Sequence, residues 1–559
     1  MTKKLLSTFA ILLIISFTAY ASNWSRISTI PVPDTEHNNG GSGAMISGVD
    51  LDGNGNPEIY LVNDNWNDTE GDYELIPRIY KLELQDGVWK VVWNAVAPII
   101  AQNTWPQLAV TDLDKDGKPE LTWAVINNGN AGANPPRVFV YESQDGGKTF
   151  GIATTDTNEY GEKLNYLPNS KWTIVSEDNI NLRPMDWQIA DIDDDGTPEI
   201  IFADRKGGSG SGYYFGVMSV DNIPDNGDGS ETWTLEMSGK DFSLGSNIQN
   251  KWDVAVIGNN FYAFDEGEIS KLSWDGSAWN YTALPPLPGG SPNQSARAVD
   301  LDKDQTQEIL MVTYDWGDDT QKGLILLQES GDSLKSTMLM NISSYWESRG
   351  AWGSAVGDVD GDGYLDYVFG SRGGTKNGRI FLASYRGGDI TDPANYTLTV
   401  VDSAFDSLGG IWNIVNVGNI DSDPALEILY TSSTPFGGSL FVPDTTGPIV
   451  VVDMVGTAIG DQRGFLASGY QLDQNYPNPF NPTTTIPFNL QKAGQVQLIV
   501  YDILGNKVRT LVNGNMAAGL HTVTWNGLNN AGQAVASGMY IYKLVTNGIS
   551  ISKKMQLLR

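Results

Sequence analysis

The residues with the most chemical potential in this 559-residue chain are acids spaced two apart on short loops. The fullest copy carries Asp191, Asp193, Asp195, Thr197 and Glu199, with Gly196 at its sixth position. The same spacing recurs in Asp112, Asp114, Asp116, Lys118 and Glu120, and again in Asp358, Asp360, Asp362, Tyr364 and Asp366. Three copies are altered. Asp50, Asp52, Asn54, Asn56 and Glu58 place an amide at the fifth position. Asp300, Asp302, Asp304, Thr306 and Glu308 surround Gln305 where the others have glycine. Asn419, Asp421, Asp423, Ala425 and Glu427 open on an amide and carry Pro424 at the glycine position. Side-chain oxygens at positions 1, 3 and 5, a backbone carbonyl at position 7 and a carboxylate at position 9 can converge on one hard cation. Calcium, which takes six to eight oxygens, fits that donor set, giving up to six ions. Glycine at position 6 permits the sharp turn. An EF-hand closes with an acid at position 12 between two helices; here the acid stands at position 9 between apolar runs, which excludes that motif.

Those runs must position the loops. Residues 44–49, 108–111 and 354–357 precede a loop, and residues 58–62, 199–203 and 427–430 follow one. Their length and their β-branched and aromatic content predict buried strands. Two more strands follow in most units, as at 78–84 and 88–93, joined by the Asp86-Gly87 turn. One unit keeps the strands (252–257, 260–264, 269–274 and 278–282) but replaces the acidic loop with Gly258-Asn259-Asn260, so no ion is expected there. The units begin near residues 44, 107, 187, 252, 296, 353 and 413, a period of roughly 45 to 80 residues. Seven four-stranded units predict an all-β chain with a seven-bladed propeller over residues 22–455.

The run from Val356 to Asp366 resembles the FG-GAP/VCBS repeat found in integrin α-subunit propellers and many bacterial surface proteins, and the resemblance covers roughly residues 40 to 455. It implies that each loop joins the innermost strand of a blade to the next, on the lower face. The shortened turn at Gly258 departs from the pattern.

Residues 1–21 read as a signal peptide: Lys3 and Lys4, an apolar run from Leu5 to Phe17, and Ala19-Tyr20-Ala21 as a cleavage site. No later segment is long and apolar enough for a transmembrane helix. With no cysteine, disulfides and thiolate chemistry are excluded. A net charge of −32 argues against nucleic acid, whose phosphates need a basic surface.

Residues 456–470 read as a linker, and 471–559 as a small Ig-like β-sandwich with strands at 495–502, 507–512, 521–525 and 538–546. Tyr476 to Pro482, Val500 to Gly505, Gly519 to Trp525, Gly538 to Lys543 and the basic pair Lys553-Lys554 closely resemble the type A C-terminal sorting domain of the type IX secretion system. The resemblance implies export by that machinery to the outer surface of a Gram-negative-type bacterium, or release from it.

Catalysis finds few candidates. His37 and His521 are the only imidazoles, and His521 lies in the C-terminal module, so a serine–histidine hydrolase and a multi-histidine zinc site are disfavoured. No catalytic residue is assigned. Aromatic and basic residues just ahead of the inner strands (Trp105, Arg183, Trp187, Arg297, Arg349, Trp352 and Trp412) form a candidate ligand face opposite the loops, suited to sugar rings and carboxylates. Burial between blades is the plainer reading of the tryptophans. Two function classes follow: a non-catalytic adhesin binding a glycan or a protein, or a calcium-dependent polysaccharide lyase drawing on His37, Arg183, Arg349 and Tyr213 or Tyr214.

Overall fold

A computed structural model of the chain describes residues 24–30, 33, 42–63, 77–99, 106–125, 136–158, 161–174, 182, 184–204, 212–244, 248, 250–265, 267–287, 290–292, 295–313, 323–342, 351–371, 379–403, 410–421, 425–433, 449–454, 471–472, 475, 480–490, 493–502, 505–516, 519–546 and 549–558. Strand is the only extended regular structure among them, with single 3-10 turns at Gly239–Asp241 and Pro393–Asn395.

Strand β1 (Trp24–Ile30) belongs to the last blade. Blade 1 is β2 (Ser42–Val49), β3 (Glu58–Asn63), β4 (Arg78–Gln85) and β5 (Val88–Val96). Blade 2 is β6 (Gln107–Thr111), β7 (Glu120–Ala124), β8 (Val138–Glu142) and, after a small hairpin of β9 (Ile152–Ala153) and β10 (Tyr166–Leu167), β11 (Ser170–Trp172). Blade 3 is β12 (Pro184–Ala190), β13 (Glu199–Asp204), β14 (Phe215–Val220) and β15 (Trp233–Ser238). Blade 4 is β16 (Asp253–Ile257), β17 (Asn260–Phe264), β18 (Ile269–Trp274) and β19 (Trp279–Leu284). Blade 5 is β20 (Arg297–Val299), β21 (Glu308–Val312), β22 (Gly323–Ser330) and β23 (Ser333–Asn341). Blade 6 is β24 (Ala351–Gly357), β25 (Asp366–Ser371), β26 (Arg379–Tyr385) and β27 (Tyr396–Ser403). Blade 7 is β28 (Gly410–Gly418), β29 (Glu427–Ser433) and β30 (Ile449–Met454), completed by β1.

The innermost strands meet in ring order: β2 beside β6, then β12, β16, β20, β24, β28 and β2 again. Adjacent blades share the core. Seven apolar clusters each join two neighbouring blades, so every blade is buried on both faces by its neighbours. Second strands such as β3, β7 and β13 are accordingly buried along their whole length, whereas outer strands such as β5 and β23 carry exposed residues. The chain is a seven-bladed propeller followed by an Ig-like sandwich.

The sequence pattern did not show how the ring shuts. Strand β1 pairs antiparallel with β30 from Trp24↔Met454 to Ile30↔Ile449, so the two ends of the propeller segment share one sheet. Arg26 Nε donates to Asp402 Oδ2 at 2.6 Å, fastening β1 to the outer strand of blade 6.

In the C-terminal sandwich, β31 (Gln471–Leu472), β32 (Thr484–Leu490) and β35 (Gly519–Trp525) face the sheet β34 (Lys507–Met516), β33 (Gly494–Asp502), β36 (Gly538–Thr546) and β37 (Ile549–Leu557). Phe480, Phe488, Trp525, Tyr540 and Tyr542 dominate its core. The basic pair Lys553 and Lys554 lies within β37, a strand the sequence reading left as a tail.

Removing residues 24–30 exposes the edge of β30, a buried Ile-Val-Val-Val run. We expect the truncated protein to melt at least about 5 °C lower and to associate, read by thermal melting and light scattering; a monomer with an unchanged melting point would refute closure by β1.

Candidate functional site: the turn loops and the channel cavity

Each acidic loop lies between the first and second strands of its blade, and one hydrogen-bond scheme shapes the copies. The position-1 carboxylate accepts from the position-6 N–H at 2.9–3.3 Å in four loops. Position 3 accepts from the position-5 N–H, and position 5 from the position-7 N–H, in five. Positions 4 and 6 take positive φ, including Lys115, Asp194 and Lys303 at position 4 and Gln305 (φ 75°) at position 6. The backbone therefore keeps its shape without glycine at Gln305, at a cost of about 1–2 kcal/mol.

The closing acid is the best-held residue. Its second oxygen accepts from the position-2 N–H in all six loops: Leu51, Leu113, Ile192, Leu301, Val359 and Ile420 donate to Glu58, Glu120, Glu199, Glu308, Asp366 and Glu427. The first oxygen takes no part in that bond. Glu120 Oε1 and Asp358 Oδ1 are buried with no hydrogen-bond donor. Ligand atoms of Asp50, Asp52 and Glu58, of Asp112, Asp114 and Asp116, and of Asp191, Asp193 and Glu199 lie within 4.8 Å of one another. An all-oxygen cradle with orphaned buried carboxylate oxygens fits a hard divalent cation. Asn419, Asp421, Ala425 and Glu427 hold the seventh-blade loop; Asp423 lies outside the described residues.

Burial pushes these acids up: Glu120 and Glu199 to about 8, Glu308 and Asp366 to about 7, with the neighbouring loop acids adding to the shift. Some loops meet a protein cation. Lys81 Nζ, itself buried, lies 2.6 Å from Glu58 Oε1 and 2.9 Å from Asp52 Oδ2, and donates to Gly147 O at 2.8 Å. Arg386 pairs with Asp360 and Asp362 at 2.6 and 2.5 Å. In blade 4 the two-residue turn at Gly258-Asn259 replaces the loop, and Asn259 Nδ2 reaches across to Ile192 O and Asp194 Oδ2.

Inner-strand side chains also line a cavity of about 350 Å³ in the channel, among them Gln107, Asp186, Trp187, Gln188, Arg297 and Asn416. Polar groups here tie blade to blade. Gln107 Nε2 donates to Met185 O (2.8 Å), Arg297 Nε and Nη2 donate to Ser354 O (3.3 and 3.2 Å), and Asn416 Nδ2 donates to Met45 O (2.9 Å). Asp253 accepts from the N–H groups of Val254, Ser295 and Ala296. Burial raises both Asp186 and Asp253, and the Asp253 charge lifts Asp186 further. The backbone donors at Ser295 and Ala296 work against the rise at Asp253.

Of the ligand-face residues, Trp187 and Arg297 meet at this cavity. Trp187 is 6% exposed and packs in the core between blades 2 and 3, so its ring face is not open for stacking. Trp352 and Trp412 lie on β24 and β28, their side chains outside the described set. Trp105, Arg183, Arg349 and His37 lie outside the described residues altogether. Tyr213 is buried and accepts from Lys240 Nζ at 2.8 Å; Tyr214 packs against the core between blades 3 and 4. The sequence reading missed Gln107, Asp186, Gln188 and Asn416. A polar residue inside each inner-strand run was the available signal.

Residues 480–548 match the FlgD Ig-like domain family. The chain is 27% identical over 170 residues to the basal-body rod modification protein FlgD of Salmonella typhimurium, a stretch covering 29% of this chain and 61% of that protein. Among solved structures, similarity extends to PorZ, described as an essential bacterial surface component of the type IX secretion system of Porphyromonas gingivalis (12% identity, 93% of this chain and 81% of that chain, TM-score 0.25). It extends also to an Agrocybe aegerita lectin recognising non-reducing terminal N-acetylglucosamine (14%, 67% and 93%, TM-score 0.37) and to the GH93 α-L-arabinofuranosidase of Fusarium graminearum (10%, 77% and 97%, TM-score 0.39). All three TM-scores lie below 0.5.

The raised closing acids set a pH dependence. Their folded values exceed the unfolded carboxylate range, so the stability they contribute is present below about pH 4 and is lost as pH rises through 7 to 8. In chelator the melting temperature should therefore fall between pH 5 and pH 8. Excess calcium, which favours the ionised acids, should raise it most at pH 8. Equal metal-free melting points at the two pH values would contradict the burial of these groups.

Proposed function

We propose that this chain is a calcium-stabilised propeller of the FG-GAP/VCBS type, secreted or displayed on the outer surface of a Gram-negative-type bacterium, where it binds a glycan or protein ligand without catalysis. The observation that carries the calcium reading is the closing acid: a carboxylate buried in every loop and fixed through one oxygen by the position-2 N–H, with loop acids grouped around it in the first and third copies. When bound, the ion would supply charge neutralisation and stiffness to the turns. The positions holding it would be those of the six loops, with Glu120 and Asp358 presenting the orphaned oxygens. The residues on the channel side support binding rather than turnover, because the acid pair Asp186 and Asp253 is committed to blade-to-blade hydrogen bonds and the cavity offers amide and guanidinium groups.

Export rests on the C-terminal module, whose landmarks resemble a type IX sorting domain. No helix among the described residues is long and apolar enough to cross a membrane. Deleting residues 471–559 should abolish surface display while the remaining propeller melts as before; display of the truncated protein would end the sorting assignment.

A glycan array run alongside a polysaccharide-degradation screen tests the ligand reading. Gln188, half-buried on the cavity wall, offers an amide, and Gln188→Ala should weaken binding of an array-positive glycan up to about tenfold through one lost hydrogen bond. Undiminished binding would move the ligand away from the cavity, and released oligosaccharide would replace the adhesin reading with the lyase one.

A further inference from the structure

The second loop stands apart in what faces its closing acid. Glu120 on β7 is in register with Glu142 on β8, so two fully buried carboxylates lie side by side on adjacent strands. The same register places Glu83 opposite Glu58 in blade 1 and Ser384 opposite Asp366 in blade 6.

Blade 1 satisfies its pair internally. Glu83 accepts from Asn54 Nδ2 at 2.6 Å, Asn56 Nδ2 at 2.7 Å and Gln85 Nε2 at 2.9 Å, while the Lys81 ammonium sits against Glu58. Blade 2 satisfies its pair less fully. One oxygen of Glu120 is taken by Leu113 N–H and the Thr111 hydroxyl, and one oxygen of Glu142 by Gln144, with Lys118 Nζ 3.4 Å away. The remaining oxygens, Glu120 Oε1 and Glu142 Oε2, are both buried and have no hydrogen-bond donor. Ligand atoms of Asp114, Glu120 and Glu142 lie within 4.8 Å of one another. Lys118 screens only the outer side, where its ammonium pairs with Asp116 and lies 2.6 Å from Asp225.

We propose that Glu142, from outside the nine-residue motif, is an additional ligand of the ion in the second loop and makes that loop the tightest calcium site of the ring. This rests on the calcium reading of the loops. Two buried acids side by side must be neutralised, by a proton when metal is absent or by a cation when it is present, and an ion here would add to the partly exposed Lys118 ammonium what the buried Lys81 ammonium supplies in blade 1. Adding a carboxylate to the loop's oxygens favours calcium, which accepts seven or eight ligands in irregular geometry, over magnesium, which demands six in an octahedron.

The test is a calcium titration of the full chain, stripped of metal, in competition with a chromophoric chelator. The wild type should show one site tighter than the rest, not displaced by equimolar magnesium. Glu142→Gln should weaken that site by about tenfold or more, while Glu83→Gln, in the first blade, leaves that tightest site unchanged. The metal-free melting point gives an independent readout: E142Q should melt higher than the wild type in chelator, because a buried repulsion has been removed, and gain less from calcium. A purely structural glutamate would show the reverse. Should E142Q not fold, Glu142→Asp, which withdraws the carboxylate by one methylene, should give a smaller loss at the same site. A tight site unchanged by either substitution overturns the role of Glu142 alone. A wild type that binds no calcium overturns the loop reading itself.

Discussion

A carboxylate buried beneath each of six inner turns is the constraint on which the propeller depends. Glu120 and its counterparts begin the second strand of a blade, the strand packed on both faces by neighbouring blades. A group there cannot reach water, so its charge must be met from within or neutralised. One N–H, from position 2 of the same loop, meets half of it in every copy. That residue is itself buried in five of the loops (Leu113, Ile192, Leu301, Val359 and Ile420), so the donor is anchored by the inter-blade core. Loop shape and apolar packing are therefore one arrangement.

The same dependence explains why the ring needs a cross-chain strand. Each apolar cluster is built by two blades, which leaves no blade with a core of its own. Blade 7 lies against blade 6 through Val415, Ile428 and Tyr430, and against blade 1 through Leu429, Ile449 and Val451. Strand β1 adds Ile30 to the cluster shared with blade 1 and Trp24 to the one shared with blade 6. Burying one such side chain is worth about 1.5–3 kcal/mol, and the β1–β30 ladder covers an edge that would otherwise be open.

Much of this was legible because it repeats. Six loops at one spacing, flanked by apolar runs, implied strand–loop–strand units, and the acid-free unit at Trp252 was recoverable from its strands alone. What did not repeat stayed hidden. The β1–β30 pairing joins residues more than four hundred apart with no motif to signal it. Strand β37 was obscured because Lys553 and Lys554 interrupt its apolar alternation, although they sit on an edge strand, where lysine is expected. The segments ahead of the inner strands drew attention for their tryptophans, yet the residues converging on the channel include Gln107, Asp186 and Asn416, which carry no motif.

The cations show why local motif reading stops short at the loops. Lys81 lies 23 residues beyond Glu58 in sequence but one strand away in space, and its neighbour Gly147 comes from the insertion of the next blade. Gly147 (φ 87°) packs so closely that a Cβ there would lie 2.4 Å from Leu51 O, so the Asp145–Gly147 turn, unremarkable as sequence, is fitted to the first loop. Two loops with nearly the same nine residues thus have different electrostatics: in the first a buried ammonium and three amide donors meet the acid pair, in the second a partly exposed ammonium and one amide do, and an oxygen of each acid stays without a donor. The motif fixes the oxygens of a site, and the strands beside it decide how much charge those oxygens still have to share with an ion.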